Sequence, residues 1–80
     1  MSLRVIIQPD LITRWITERG GTPARKHGTD AELRILFHEA NREFEPLPLA
    51  DFLEAMKFNH LVLLVEEEAG DSFHRFVARG

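Results

Sequence analysis

The sequence contains no cysteine, and it also lacks a long apolar segment. Without cysteine the chain has no disulfide, no thiolate nucleophile and no thiolate metal ligand. The longest apolar run, residues 61–65, spans five positions, which is too short to cross a membrane. No positively charged start is followed by an apolar stretch of the signal-peptide type. We therefore expect a cytoplasmic protein that does not associate with membranes.

The 80 residues are enough for one domain, residues 1–80, with a modest core. A chain of this size buries only roughly 60% of the surface that its unfolded form exposes, so we expect marginal stability unless it oligomerises. Its charge is uneven, because residues 1–38 carry six basic and four acidic residues whereas residues 39–80 carry four and nine. Such polarity favours head-to-tail association or a charged partner, although ordinary solvated surface charge gives the same composition.

The apolar pattern predicts a strand at Leu61-Val62-Leu63-Leu64-Val65 that is buried on both faces. Before it, apolar residues recur at helical spacing and predict a helix that packs on the strand; they are Leu49, Phe52, Leu53 and Met56. After it, the polar segment 66–71 predicts a turn that leads into another strand, residues 72–79.

The first half of the chain follows a similar plan. Residues 3–7 predict a strand, and a helix is expected to begin near Asp10 as its N-cap. This helix has one apolar side, made of Leu11, Ile12, Trp15 and Ile16. Gly20-Gly21 ends it, and one of these glycines is expected to have a positive φ. An extended segment, 24–28, and a strand, 33–38, follow; the strand alternates apolar residues onto one face, namely Leu33, Ile35 and Phe37.

The two halves, residues 10–38 and 47–79, therefore share the order helix, strand, strand. We predict an α+β fold, a two-layer sandwich in which an antiparallel sheet of about four strands carries two helices on one face, with a further short N-terminal strand. Between the halves, residues 41–48 contain Pro46 and Pro48 and are expected to form a loose connection.

No group of residues has the pattern of a catalytic, cofactor-binding or metal site. The four histidines lack the close spacing of a zinc motif, although His27, His38 and His74 could converge from different strands. No Gly-x-Ser-x-Gly elbow surrounds a serine. The Gly20-Gly21 pair follows a helix, whereas a phosphate-binding loop precedes one. We expect a protein that is not an enzyme and uses no cofactor.

Segment 19–27 is the best candidate for a binding site because it is basic and contains glycine. In a functional interpretation, four residues contact a nucleic-acid backbone: Arg19, Arg25, Lys26 and His27. In a structural interpretation, the two glycines cap the helix, Pro23 sets the exit direction and Trp15 belongs to the core. The net charge of −3 favours the structural interpretation, since an acidic chain is a poor partner for nucleic acid.

A series of short motifs runs through the chain. Trp15 precedes Arg19-Gly20-Gly21-Thr22-Pro23-Ala24, and then come Gly28-Thr29 and Leu33-Arg34-Ile35-Leu36-Phe37. This order resembles a family of small, uncharacterised bacterial proteins in which a Trp-Ala-x-x-Arg-Gly-Gly-x-Pro-Ala segment precedes a Gly-Thr turn and a Leu-Arg-Ile-x-Phe strand. Residues 47–66 resemble that family's second helix and its Leu-Ala-Leu-Leu-Tyr-Gln strand, and residues 73–79 resemble its Phe-Asn-Lys-Leu-Val-Ser-Arg ending.

The resemblance implies a bacterial protein and carries no established activity. Some members are labelled 1,4-α-glucan branching enzymes, but that chemistry needs a large catalytic barrel and a carboxylate pair, which 80 residues cannot hold. The chain departs from the family at Pro48, Leu49 and His60, where the family has serine, tryptophan and glycine. At His60 the departure raises the question of whether the backbone still turns through a left-handed conformation.

We expect a non-catalytic interaction module that self-associates as a homodimer, because the core is small, strand edges are free and the two halves carry opposite charge. One alternative is a nucleic-acid-associated protein that uses segment 19–27. A further alternative is a small-molecule or metal site between the sheet and residues 41–48.

Overall fold

The chain folds as two successive units that share the order βαββ. The computed structural model describes residues 2–29, 32–38 and 41–79. The first unit contains β1 (Leu3–Ile6), α1 (Pro9–Glu18), β2 (Thr22–Lys26) and β3 (Leu33–Leu36). The second unit contains β4 (Phe44–Pro46), α2 (Leu49–Phe58), β5 (Leu61–Glu66) and β6 (His74–Ala78). The α+β class and the two helices are therefore confirmed.

The strands form two three-stranded antiparallel sheets, and each sheet is built from both units. Sheet A has the order β1-β5-β6, and sheet B has the order β3-β2-β4. The first strand of each unit thus pairs with the hairpin of the other unit. Ile6 lies opposite Leu63 in sheet A, and Pro46 lies opposite Ala24 in sheet B. This exchange joins the two units, and the layout differs from the predicted single sheet of about four strands.

Strand β4 lies in the stretch that was predicted to be a loose connection. Pro46 removes one backbone donor, but β4 is at the edge of sheet B and needs to pair on one side only. The N–H of Leu47 donates to the carbonyl oxygen of Pro23 at 2.9 Å, which continues the pairing past the proline. The loop prediction is therefore wrong for residues 44–46, because a strand at a sheet edge tolerates proline.

The prediction that Asp10 is the N-cap of α1 is also wrong. Gln8 is the N-cap, and Pro9 is the first residue of the helix. Proline is favoured there because the first N–H groups of a helix have no partner within it, so the missing donor costs no hydrogen bond. Asp10 lies in the first turn instead, where its negative charge interacts favourably with the helix dipole.

Both helices are followed by a residue with a left-handed backbone. Arg19 caps α1 and precedes Gly20, whose φ of 68° confirms the predicted glycine ending. Asn59 caps α2 and precedes His60, whose φ is 54°. The chain therefore keeps the left-handed turn at His60 without a glycine. Because that conformation costs a residue with a Cβ atom about 1–2 kcal/mol, His60 is a strained position that the first unit avoids.

One hydrophobic core joins both helices to sheets A and B. Its buried members are Ile6, Ile12, Trp15, Ile16, Ile35, Phe52, Met56, Leu63 and Val65. Leu33 and Phe37 pack beside this cluster, which confirms their predicted alternation with Ile35. Trp15 is 6% exposed and its Nε1–H donates to the carbonyl oxygen of Glu66 at 2.9 Å, so the ring belongs to the core. In the described parts of the chain, no helix has the length and apolar character to span a membrane.

Candidate interaction surface

The outer face of sheet A, which is turned away from the core, carries a group of neighbouring apolar side chains. Ile6, Leu63 and Phe76 are cross-strand neighbours that belong to the core side. Because side chains alternate along a strand, the residues next to them in sequence lie on the opposite face. Within the strands, that face carries Leu3, Val5, Val62, Leu64 and Val77. Ile7 directly follows β1, where it also borders a groove beside the helices, and Phe73 directly precedes β6. We call these seven apolar residues the bare face.

The bare face holds most of the exposed large hydrophobic side chains of the described chain. There are six such side chains, and five lie here, each 36–50% exposed: Leu3, Val5, Ile7, Phe73 and Val77. The sixth, Phe58, is the last residue of α2. Val62 is only 6% exposed yet stands outside the core cluster, so its neighbours within the sheet shield it. Single exposed hydrophobic residues are ordinary, but a contiguous group of this kind marks a contact surface.

Charged side chains are concentrated at the two ends of the bare face. One end is the β5–β6 turn, whose exposed acidic residues are Glu67, Glu68 and Asp71. At the opposite end, Arg79 is exposed and follows the last residue of β6. Within the face, Arg75 lies opposite Leu64 and is the exposed charged residue nearest to the centre. The surface is therefore apolar in the middle, acidic at one end and basic at the other.

Glu66 is the buried charged residue of the described chain, at 2% exposure, and it organises the acidic end. Its Oε2 accepts hydrogen bonds from the backbone N–H of Ser2 at 2.7 Å and of Glu68 at 3.3 Å. A buried carboxylate is tolerated when hydrogen bonds replace its lost water. Glu66 therefore fixes the start of β1 to the β5–β6 turn.

The outer face of sheet B is also apolar, but the chain covers it with its own arginine. Ala24 lies opposite Arg34, and Phe44 lies opposite Lys26 on the same face. The guanidinium carbon of Arg34 is 4.4 Å from the centroid of the Phe44 ring. Phe44 is consequently 7% exposed, and Ala24 is fully buried. Among the residues that the structure describes, sheet B therefore presents no surface equivalent to the bare face.

The guanidinium of Arg19, one of the predicted nucleic-acid contacts, is used inside the protein. Its side chain is 7% exposed, and the guanidinium carbon is 4.5 Å from the centroid of the Trp15 ring. Its N–H groups donate, at 2.7–3.3 Å, to the carbonyl oxygens of Trp15, Glu66, Glu67, Glu68 and Asp71. Arg19 therefore holds the β5–β6 turn against α1, a structural role that its sequence context does not reveal.

The other three predicted contacts form ion pairs at the surface. Arg25 Nε is 2.7 Å from Glu45 Oε1, and His27 Nδ1 is 3.3 Å from Oε2 of the same carboxylate. Lys26 Nζ is 3.9 Å from Glu32 Oε1. Arg19 thus contacts a different part of the chain from these three residues, and glutamates partly neutralise the charges of Arg25 and Lys26. The nucleic-acid contact stays a prediction.

The histidines do not form a metal site within the described ranges, where no three His, Asp or Glu side chains are grouped for a metal ion. His74 instead packs against the rings of Trp15 and Phe37, at centroid distances of 5.9 and 5.5 Å. Its Nδ1 is 3.0 Å from the carbonyl oxygen of Ser72. These contacts place His74 at the edge of the core as a packing residue.

Two grooves open beside α2. One, of about 580 Å³, lies between residues 45–48 and α2, at the place where a small-molecule site was predicted. The other, of about 610 Å³, runs between the start of α1 and α2 and has Ile12 and Met56 among its lining residues. The small-molecule alternative stays a prediction for the first groove.

The sequence does not reveal the bare face because an apolar run does not show which side of a strand the fold leaves uncovered. Residues 61–65 predict a strand shielded on both faces, and β5 is indeed shielded by its neighbours in the sheet. The useful signal is in β1. Leu3, Val5 and Ile7 are apolar although Ile6 alone reaches the core, so the side of this edge strand that faces away from the core is hydrophobic.

Comparisons of the chain with protein-family models, curated proteins and solved structures found no match. The family resemblance of its motifs therefore stays a prediction, and a function has to be inferred from the surfaces of the molecule.

Proposed function

We propose that this chain is a small non-catalytic interaction module that self-associates as a homodimer through the bare face. The observation that carries the proposal is the concentration of five of the six exposed large hydrophobic side chains on one side of one sheet. Burial of apolar surface stabilises a complex by about 25 cal/mol per Å² before the cost of association is subtracted. A face of this kind therefore gains free energy when it is covered.

The shape of the molecule supports the same proposal. Its accessible surface is 5412 Å², whereas a folded monomer of 9.2 kDa is expected to expose about 4,900 Å². The Cα atoms extend over 35 × 30 × 18 Å, so the protein is flat. A thin molecule with an excess of exposed surface is expected to gain stability from a second copy stacked on its apolar side.

Light scattering during size-exclusion chromatography tests the proposal. At tens of micromolar, the wild-type chain is expected to show twice the single-chain mass of 9.2 kDa. On dilution, its mass is expected to fall toward that of the single chain. Val5→Lys, which places a charge on the bare face at a half-exposed position, is expected to be folded and monomeric.

Phe58→Lys is the matched control. It removes the most exposed hydrophobic side chain of the described residues, at 82%, but lies away from the bare face, so this variant is expected to remain a dimer. A wild-type chain that stays monomeric at high concentration would contradict the proposal. So would dissociation by Phe58→Lys together with an unchanged mass for Val5→Lys.

A further inference from the structure

The bare face has opposite charges at its two ends, and this polarity selects one way of stacking two copies. This inference rests on the self-association proposed above. We infer that two copies pack their bare faces together with the strands of one running antiparallel to the strands of the other. The acidic end of each copy then lies over the basic end of its partner.

The strand register divides the outer face of sheet A, which includes the bare face, into rows that cross the sheet. From the acidic to the basic end, the rows are Leu3, Glu66 and Phe73; Val5, Leu64 and Arg75; Ile7, Val62 and Val77; and His60 with Arg79. Alternate residues of a strand are about 6.7 Å apart, so about 20 Å separates the first row from the last. That distance exceeds the Debye length of about 8 Å at physiological salt, so the two ends act as separate charges.

The charges at the two ends are available to a partner. At the acidic end, Glu67 pairs with Arg4 at 3.3 Å, but Glu68 and Asp71 take part in none of the ion pairs of the described residues. At the basic end, Arg79 is likewise outside these pairs. Glu68 and Asp71 therefore place negative charge at one end of the sheet, and Arg79 places positive charge at the other.

Two identical faces can stack with a two-fold axis either along or across the strands. An axis along the strands superposes the two acidic turns, and like charges brought together at an interface are unfavourable. An axis across the strands puts each acidic turn over Arg79 of the other copy. Both arrangements leave Val62 and Leu64 near the centre, so burial of apolar surface does not distinguish them. Charge does.

The apolar area of the bare face is small, so the charged ends of the sheet are expected to take part in the contact. The face is about 10 Å wide between its outer strands and about 20 Å long. Stable interfaces of standard size bury about 800 Å² from each partner, which is more than this apolar area supplies. A dimer of standard size therefore needs more contact than the apolar rows supply, and the charged ends of the sheet are the surface next to those rows.

Cross-linking between single-cysteine variants tests the arrangement, because the natural chain has no cysteine. An axis across the strands places Val5 of one copy near Ile7 of the other. An axis along the strands places Leu3 of one copy near Phe73 of the other. The mixture of Val5→Cys and Ile7→Cys proteins and the mixture of Leu3→Cys and Phe73→Cys proteins are each treated with a short bismaleimide. All four substitutions are at half-exposed positions and leave the charges unchanged.

The expected result is a cross-linked dimer that is several-fold more abundant in the Val5→Cys and Ile7→Cys mixture, with both proteins dimeric by light scattering. Preferential cross-linking of Leu3→Cys with Phe73→Cys in a dimeric sample would overturn the arrangement and leave the proposed self-association standing. Dimers that cross-link in neither mixture would overturn the arrangement as well. A monomeric mass for every protein would overturn the proposed function itself.

Discussion

The two sheets follow the same plan but treat their outer faces differently. In sheet B, a row across the outer face consists of Arg34, Ala24 and Pro46. In sheet A, the corresponding row consists of Arg75, Leu64 and Val5. Both rows combine an arginine from the last strand of a unit, a residue of the central strand, and a residue from the first strand of the other unit.

The central residue of the row explains the difference. Ala24 is small, so the Arg34 side chain can cross above it and reach the Phe44 ring at 4.4 Å. Leu64 is larger and occupies that space in sheet A, where Leu3 stands at the position that corresponds to Phe44. A methyl group in one sheet and an isobutyl group in the other thus separate a face that the chain covers itself from one that it leaves exposed.

Substitutions at two adjacent positions of β5 are expected to differ most in their effect, because the two side chains lie on opposite faces of sheet A. Leu63→Asp puts a charge at a fully buried core position, which costs about 5 kcal/mol or more and exceeds what a small domain can lose. Leu64→Asp puts the same charge on the bare face and is expected to give a folded monomer. Circular dichroism and light scattering of both variants check this expectation. A folded Leu63→Asp protein would show that β5 does not belong to the core.

Trp15 has no aromatic counterpart in the second unit, where Ala55 stands at the same distance from the N-cap of its helix. Trp15→Ala is expected to lower the free energy of unfolding by about 3–5 kcal/mol, because it leaves a cavity in the core. It also removes one of the two side-chain hydrogen bonds that the Glu66 carbonyl oxygen accepts, while the one from Arg19 remains. Urea denaturation measures the loss, with Trp15→Phe as the control that keeps a ring. Equal stability of Trp15→Ala and wild type would contradict the core position.

Ala24→Leu is designed to make sheet B resemble sheet A. The larger side chain crowds a fully buried position and is expected to cost about 1–3 kcal/mol. It also displaces Arg34 from Phe44, so the variant should form assemblies larger than the wild-type dimer. Arg34→Ala is the companion variant: it loses about 0.5–1 kcal/mol of cation–π interaction and exposes the same ring without crowding. If both variants keep the wild-type mass in light scattering, Arg34 does not prevent association through sheet B.

Substitutions at the helix ends are expected to change the free energy of unfolding least. His60→Gly relieves the left-handed strain at φ 54° and is expected to raise the free energy of unfolding by about 1 kcal/mol. Gly20→Ala is the mirror experiment: open space surrounds the position where its Cβ would lie, so backbone strain alone should cost about 1 kcal/mol. Thermal denaturation compares both with wild type. A destabilised His60→Gly protein would show that the imidazole makes a contact worth more than the strain.

Local patterns in the sequence predict the helices and most strands. Helical spacing identifies α1 and α2, and the apolar run identifies β5, because these signals depend on residues close in sequence. Strand β4 escapes prediction because Pro46 is acceptable only at a sheet edge, and the edge is created by pairing with β2. The exchange of first strands between units depends on contacts between distant residues, such as Leu3 with Glu66.

The candidate surface is less predictable than the fold for the same reason. Whether an outer face is covered depends on side chains that arrive from other strands, as Arg34 does at Phe44. The basic segment 19–27 is visible in the sequence, but the partners that occupy its charges are not. Arg19 is buried by a turn that lies about fifty residues further along the chain, which no local pattern indicates.

Isotope-filtered nuclear Overhauser spectroscopy on a mixture of labelled and unlabelled chains tests the central claim most directly, because it detects only contacts between copies. We predict intermolecular contacts at the methyl groups of Val5, Leu64 and Val77, and none at the Phe58 ring. Intermolecular contacts confined to Phe58 or to the helices, or none at all at concentrations where the chain is dimeric by mass, would contradict the claim that sheet A is where two copies meet.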